Sequence, residues 1–128
     1  MKLLRLHHVA VICSDYGRSK LFYTQVLGLA VVSEHYRAER DSYKLDLALP
    51  GGGRLELFSF PHPPRRPSRP EACGLRHLAL AVADLEAALP CLQQQGVEVE
   101  PVRVDELTGK RYTFFADPDG LPIELYED

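Results

Sequence analysis

The feature that most constrains this chain is a repeated histidine and glutamate pair. His8 opens His8-Val9-Ala10-Val11-Ile12, and His77 opens His77-Leu78-Ala79-Leu80-Ala81, an offset of 69 residues that also brings Asp15 onto Asp84. Later in each half, Gly52-Gly53-Arg54-Leu55-Glu56-Leu57-Phe58 reads against Gly120-Leu121-Pro122-Ile123-Glu124-Leu125-Tyr126. There the offset is 68 residues and sets Glu56 on Glu124. A chain of 128 residues that repeats itself this way reads as a duplicated module within one compact domain.

The order of elements repeats as well. In the first half an apolar strand over 6–13 leads to Ser14 and Asp15, which offer N-cap oxygens for a helix over 16–27. Gly28 suits the helix stop. Strands then follow at 31–36, 43–49 and 55–60, the last two separated by the turn Pro50-Gly51-Gly52-Gly53. The second half predicts a strand over 75–82, a helix over 84–95 that Pro90 should bend or loosen, and Gly96 as the stop. Strands at 97–104, 111–116 and 121–127 complete it, with Asp117-Pro118-Asp119-Gly120 as the turn between the last two. The division is module 1 over 1–60, a linker over 61–73 and module 2 over 74–128, each module running strand, helix, strand, strand, strand.

The linker concentrates proline and arginine in Pro61-His62-Pro63-Pro64-Arg65-Arg66-Pro67-Ser68-Arg69-Pro70. Proline excludes helix and central strand, so this segment should be extended and stiff. It is read first as a connector with solvated arginines. The alternative is a lid whose Arg65, Arg66 and Arg69 meet an anionic substrate or a partner subunit.

Side chains alternate along a strand, so His8, Ala10 and Ile12 share a face, as do His77, Ala79 and Ala81. Glu56 shares one with Phe58, and Glu124 with Tyr126. A carboxylate set between leucines is costly to bury unless it is paired or meets a cation. His8, Glu56, His77 and Glu124 are therefore read as ligands converging on one divalent metal, whose charge the two carboxylates balance. The nitrogen and oxygen set fits zinc or nickel foremost, with manganese, iron and cobalt also compatible. His7 falls opposite Arg76 in the repeat, while His35 and His62 have no counterpart and are read as solvent-exposed.

Other features mainly exclude. The formal charge of −3 gathers in no basic patch, which argues against nucleic acid. No apolar run reaches the roughly 18 residues of a membrane span. Met1-Lys2-Leu3-Leu4-Arg5 lacks a signal-peptide core. Cys13, Cys73 and Cys91 are scattered, so they read as reduced thiols, and the expected location is cytoplasmic.

These motifs resemble the vicinal oxygen chelate superfamily, which includes glyoxalase I, fosfomycin-modifying enzymes, methylmalonyl-CoA epimerase, extradiol dioxygenases and bleomycin-resistance proteins. The resemblance spans the chain. It is most specific at His8-Val9-Ala10-Val11, Phe22-Tyr23-Thr24-Gln25-Val26-Leu27-Gly28, Leu75-Arg76-His77-Leu78-Ala79 and the run from Phe115 to Leu125, which looks like the end of bacterial glyoxalase I, lactoylglutathione lyase. It implies an α+β fold of two βαβββ modules forming a curled sheet around a metal. It further implies a homodimer with metal sites at or near the interface, where His8 and Glu56 meet His77 and Glu124 of the partner subunit.

The activity implied is that of a metal-dependent lyase or isomerase of glyoxalase I type, acting on a small molecule through an enediolate. Glu124 would be the proton-moving base, with Glu56 the second candidate. Two other superfamily readings stand beside it: a thiol transferase or extradiol dioxygenase, and a binding protein of the bleomycin-resistance type. Ile12 and Phe60 stand where glyoxalase I has an arginine and an asparagine that hold glutathione. These departures argue against glutathione dependence.

Overall fold

The computed structural model describes all residues from 1 to 128. The chain divides into two compact units, Met1–Pro64 and Arg65–Asp128, and each builds one four-stranded sheet. In the first, β1 (His8–Cys13) is followed by helix α1 (Tyr16–Leu21), then β2 (Ala30–Arg37), β3 (Ser42–Ala48) and β4 (Arg54–Ser59). In the second, β5 (Leu78–Val82) is followed by α2 (Leu85–Gln94), β6 (Arg103–Val104), β7 (Arg111–Ala116) and β8 (Pro122–Glu127).

The sheet orders are β1-β4-β3-β2 and β5-β8-β7-β6, the same topology twice. Each unit is a βαβββ module, and the fold is the expected α+β one. The helix carries the chain from the first strand to the far edge of its sheet. Two antiparallel turns then bring the last strand back beside the first, in parallel.

Alternation along the last strand of each module divides the core face from the open face. Leu55 and Leu57 are fully buried, and Ile123 and Leu125 are 0% and 6% exposed. Glu56 and Glu124 point to the opposite face. In module 1 the core continues through Val11, Cys13, Leu45, Leu47, Phe22 and Tyr23. In module 2 it comprises Leu85, Leu92, Phe115, Leu121, Ile123 and Leu125.

The helices explain why the repeat has two offsets. Both begin on an aspartate cap: Asp15 accepts from Arg18 N at 3.0 Å and Asp84 from Ala87 N at 3.2 Å. Both end at a left-handed glycine, Gly28 at φ +68° and Gly96 at φ +75°. Yet the caps lie 69 residues apart and the glycines 68. The extra residue of module 1 is absorbed by a π-helical turn, Phe22–Val26, where Leu27 N donates to Phe22 O at 3.1 Å.

Four expectations need correction. The strand expected over 97–104 is only Arg103–Val104, because residues 97–102 run alongside β7 with few ladder bonds; Glu100 N reaches Phe114 O at 2.8 Å. The strand expected from 75 begins at Leu78, since β8 supplies no partner beyond its own start at Pro122. The strand expected from 6 begins at His8, level with the start of β4 at Arg54. The helix expected over 16–27 is α-helical only over Tyr16–Leu21 and π-helical over Phe22–Val26.

Candidate functional site

Each module brings its own histidine and glutamate together. In module 1 the parallel register sets His8 against Arg54 and Ala10 against Glu56, so His8 reaches diagonally to the glutamate. His8 Nδ1 lies 3.8 Å from Glu56 Oε1. In module 2 Ala79 is level with Glu124, and His77 Nε2 lies 3.0 Å from Glu124 Oε2. The two pairs use the same register, as duplication requires. Their carboxylates are largely shielded, the side chains being 13% and 14% exposed, while the imidazoles stay more open at 43% and 25%.

The donor set suits a divalent metal. Ligands at about 2.0–2.2 Å from an ion and roughly at right angles lie near 3 Å from each other; the module 2 pair at 3.0 Å has that spacing, and the module 1 pair at 3.8 Å is wider. His77 Nδ1 is buried without a hydrogen-bond partner, which leaves one face of the ring with an unmet polar demand. Within each module the pair stands alone: nowhere do three histidine, cysteine, aspartate or glutamate side chains form a metal-binding group.

The surroundings of the two pairs differ. Around Glu56 lies a charged belt. Lys44 Nζ is 3.4 Å from Glu56 and 2.5 Å from Asp46, and Arg54 reaches Asp46 at 3.3 Å. The Lys44 ammonium and a hydrogen bond from Ser33 hold the Asp46 carboxyl below the usual range despite its burial. Glu124 makes no ion pair with a lysine or arginine; its ion-pair partner is His77, and Arg76 and Arg103 line the same cavity. Phe114, opposite Glu124 in the ladder, meets the His77 ring edge-on at 5.2 Å. Tyr112 stacks on Tyr126, and Arg103 lies over Tyr112 and Phe114.

Two cavities open on this face of module 2. One, of about 650 Å³, is lined by Arg66, Arg69, Leu75, His77, Phe114 and Pro122 among others. The other, of about 550 Å³, includes His77, Glu124, Tyr112, Phe114 and Leu107. Two of the linker arginines thus stand beside His77, whereas Arg65 does not line either cavity. Arg66 is held in place by Ser68 Oγ at 2.9 Å and the Arg76 carbonyl at 3.4 Å.

Several other candidates fall where the sequence placed them. His35 and His62 are exposed. His7 is exposed too, with its Nδ1 2.8 Å from His8 Nδ1. Cys13 is buried and donates to the Phe58 carbonyl at 3.3 Å, but Cys73 and Cys91 are exposed. Ile12 is 55% exposed on the face that carries His8 and Glu56, level with Phe58, and Phe58 and Phe60 stack with an interplanar angle of 12°. Sequence reasoning missed Lys44, Asp46, Phe114 and Tyr112. The alternation of β3 and β7 could have found them, because each stands opposite a residue of the Glu56 or Glu124 face.

Comparison with known proteins agrees with the fold. The family described as the Glyoxalase/Bleomycin resistance protein/Dioxygenase superfamily matches residues 5–125. The chain belongs to that superfamily. It is 60% identical over 127 residues to YwkD of Bacillus subtilis, covering 99% of each chain. It is 59% identical over 125 residues to YaeR of Escherichia coli, covering 98% of this chain and 97% of that one. A more distant relative is 2-epi-5-epi-valiolone epimerase of Actinomyces, 31% identical over 94% of this chain and 77% of the epimerase. The crystal structure of SMU.1112c shares 50% identity at a TM-score of 0.94, over 98% of this chain and all of that one. The trypanothione-dependent glyoxalase I of Leishmania major shares 27% identity at a TM-score of 0.74, over 98% of this chain and 87% of that one.

Proposed function

We propose that the protein is a metal-dependent lyase or isomerase of glyoxalase I type, in which His8, Glu56, His77 and Glu124 hold one divalent ion, zinc or nickel foremost. The observation that carries this reading is the duplicated pair: an imidazole and a shielded carboxylate on the non-core face of each module, in equivalent register. When bound, the metal would supply Lewis-acid polarisation of neighbouring substrate oxygens and offset the negative charge of an enediolate.

The chain's own residues supply the rest. Glu124 is the base that moves a proton between adjacent carbons. Its carboxylate makes no ion pair with a lysine or arginine, and its side chain is largely shielded beside Phe114. Glu56 is the weaker candidate, because Lys44 already stabilises its anion. His77, fixed edge-on by Phe114, orients the carboxylate beside it. The epimerase and glyoxalase I among the relatives support proton movement as the shared chemistry.

The substrate is a small molecule other than the glutathione hemithioacetal. Ile12 and Phe60 stand where the resemblance to glyoxalase I puts an arginine and an asparagine that hold glutathione, so those two polar contacts are missing. The assembly is a homodimer that completes the metal site. Each module holds half a ligand set, and Leu3, Leu4 and Ile12 offer apolar surface for association.

A second reading rests on Lys44. With its ammonium 3.4 Å from Glu56, that carboxylate can stay neutralised without a metal. His8, His77 and Glu124 would then form the two-histidine, one-carboxylate set of a dioxygenase or thiol transferase. Metal titration of Glu56→Gln separates the two. The first reading expects at least a tenfold loss of affinity, and the second expects almost none.

A further inference from the structure

Module 1 holds a half-buried guanidinium that no carboxylate answers. Arg54, Arg76, Arg103 and Arg111 each pair with an acid within 3.3 Å. Arg37, the last residue of β2, has only a neutral partner, donating from its terminal nitrogen to Ser42 Oγ at 2.7 Å. Its Nε is buried with no acceptor. The guanidinium carbon lies 5.0 Å from the Phe58 ring centre and 5.7 Å from that of Phe60.

The strand register places this group on the ligand face. Arg37 is level with Ser42, Lys44 with Phe58, and Asp46 with Glu56, so these side chains share one side of the sheet with Ile12 and His8. Glu56 and Phe58 are two residues apart on one strand, about 7 Å. A few carbon atoms bridge that gap.

Keeping a cation partly out of water with an unmet donor is costly. Natural proteins tolerate such groups where a ligand supplies the missing acceptor. Aromatic packing here restricts the guanidinium plane. A planar fork of donors, partly desolvated, matches the two oxygens of a carboxylate or phosphate.

From this geometry we infer that Arg37, walled by Phe58 and Phe60 and braced by Ser42, anchors an anionic group of the substrate, a carboxylate or a phosphate monoester. The inference rests on the metal-site reading and deepens it, since it places the anion a few carbon atoms from Glu56, one of the four residues read as holding the metal. It also distinguishes this site from one built for an uncharged substrate.

The test uses matched probes on the protein as purified: dihydroxyacetone phosphate against dihydroxyacetone, and glycerate against glycerol. Binding is followed by calorimetry and by the 15N-resolved Nε–H resonance of Arg37. The account expects a charged probe to bind at least tenfold tighter than its neutral mate and to shift that resonance. The tighter of the two charged probes identifies the anion as phosphate or carboxylate. Arg37→Gln should abolish the preference, and Arg37→Lys should restore only part of it, because a lysine keeps the charge and loses the fork. Both variants should retain the bound metal. His77→Ala, which tests the metal reading, should lose metal but keep the Arg37-dependent preference for the anion. Equal affinity for charged and neutral probes, absence of binding by either charged probe, or a preference unchanged in Arg37→Gln would overturn the inference.

Discussion

Glu127 shows how much one carboxylate can organise. Its two oxygens take a two-point contact from Arg111, at 2.6 and 2.9 Å, and one of them also accepts Leu85 N at 3.2 Å, at the start of α2. Arg111 extends the network to Glu86 at 2.8 Å. The guanidinium lowers the Glu127 pKa from 4.5 to about 2. The unfolded chain therefore binds this proton more readily than the folded one. The stabilisation is complete above pH 4.5 and is lost as the pH falls towards 2. Glu127→Gln should flatten that acid limb of the stability curve and leave neutral pH less stable than wild type, as measured by urea unfolding from pH 2 to 7. A wild-type curve already flat below pH 4.5 would contradict the assignment. The residue scale also bears on substrate choice. Ile12→Arg with Phe60→Asn should raise kcat/KM for the methylglyoxal–glutathione hemithioacetal at least tenfold from a weak wild-type value. Efficient wild-type turnover would show that other residues, with Arg66 and Arg69 the first to examine, hold the peptide.

At the scale of elements, the π-turn is the informative departure from simple duplication. If Phe22–Val26 accommodates one inserted residue, deleting the exposed Gln25 should leave a helix of the α2 type and a folded protein. Tyr23→Ala, in contrast, removes a fully buried ring and should cost about 3–5 kcal/mol. Circular dichroism and thermal unfolding of both variants check this, and a Gln25 deletion that fails to fold would sink the insertion account. The elements were legible in the sequence where local chemistry decides them. Asp15, Asp84, Gly28 and Gly96 announce helix ends, and alternation in Leu55–Phe58 and Ile123–Tyr126 announces which residues face the core. The metal candidates were legible for the same reason, because the repeat doubled each weak signal. Other features depend on tertiary partners. The short β6 depends on what lies beside it, and the Lys44–Glu56 and Arg37–Phe58 contacts join positions that only sheet register brings together. The π-turn was encoded in the change of offset from 69 to 68, a signal visible in the chain but without meaning until the backbone bonds were known.

At the scale of the molecule, two like modules each carry one histidine–glutamate pair. Superfamily membership fixes the architecture, and the same architecture serves enzymes and binding proteins alike, so chemistry must be argued from the site. A homodimer is the expected assembly. Sedimentation should show a dimer at micromolar concentration, and a monomer that still binds metal tightly would remove the interface from the account. The most direct measurement of the central claim is calorimetric titration of zinc and nickel into chelator-treated protein, with alanine at His8, Glu56, His77 and Glu124 in turn. The account predicts one ion per site and at least a tenfold loss of affinity in every one of the four variants. Affinity unchanged in His77→Ala and Glu124→Ala, or no binding by the wild type, would contradict it.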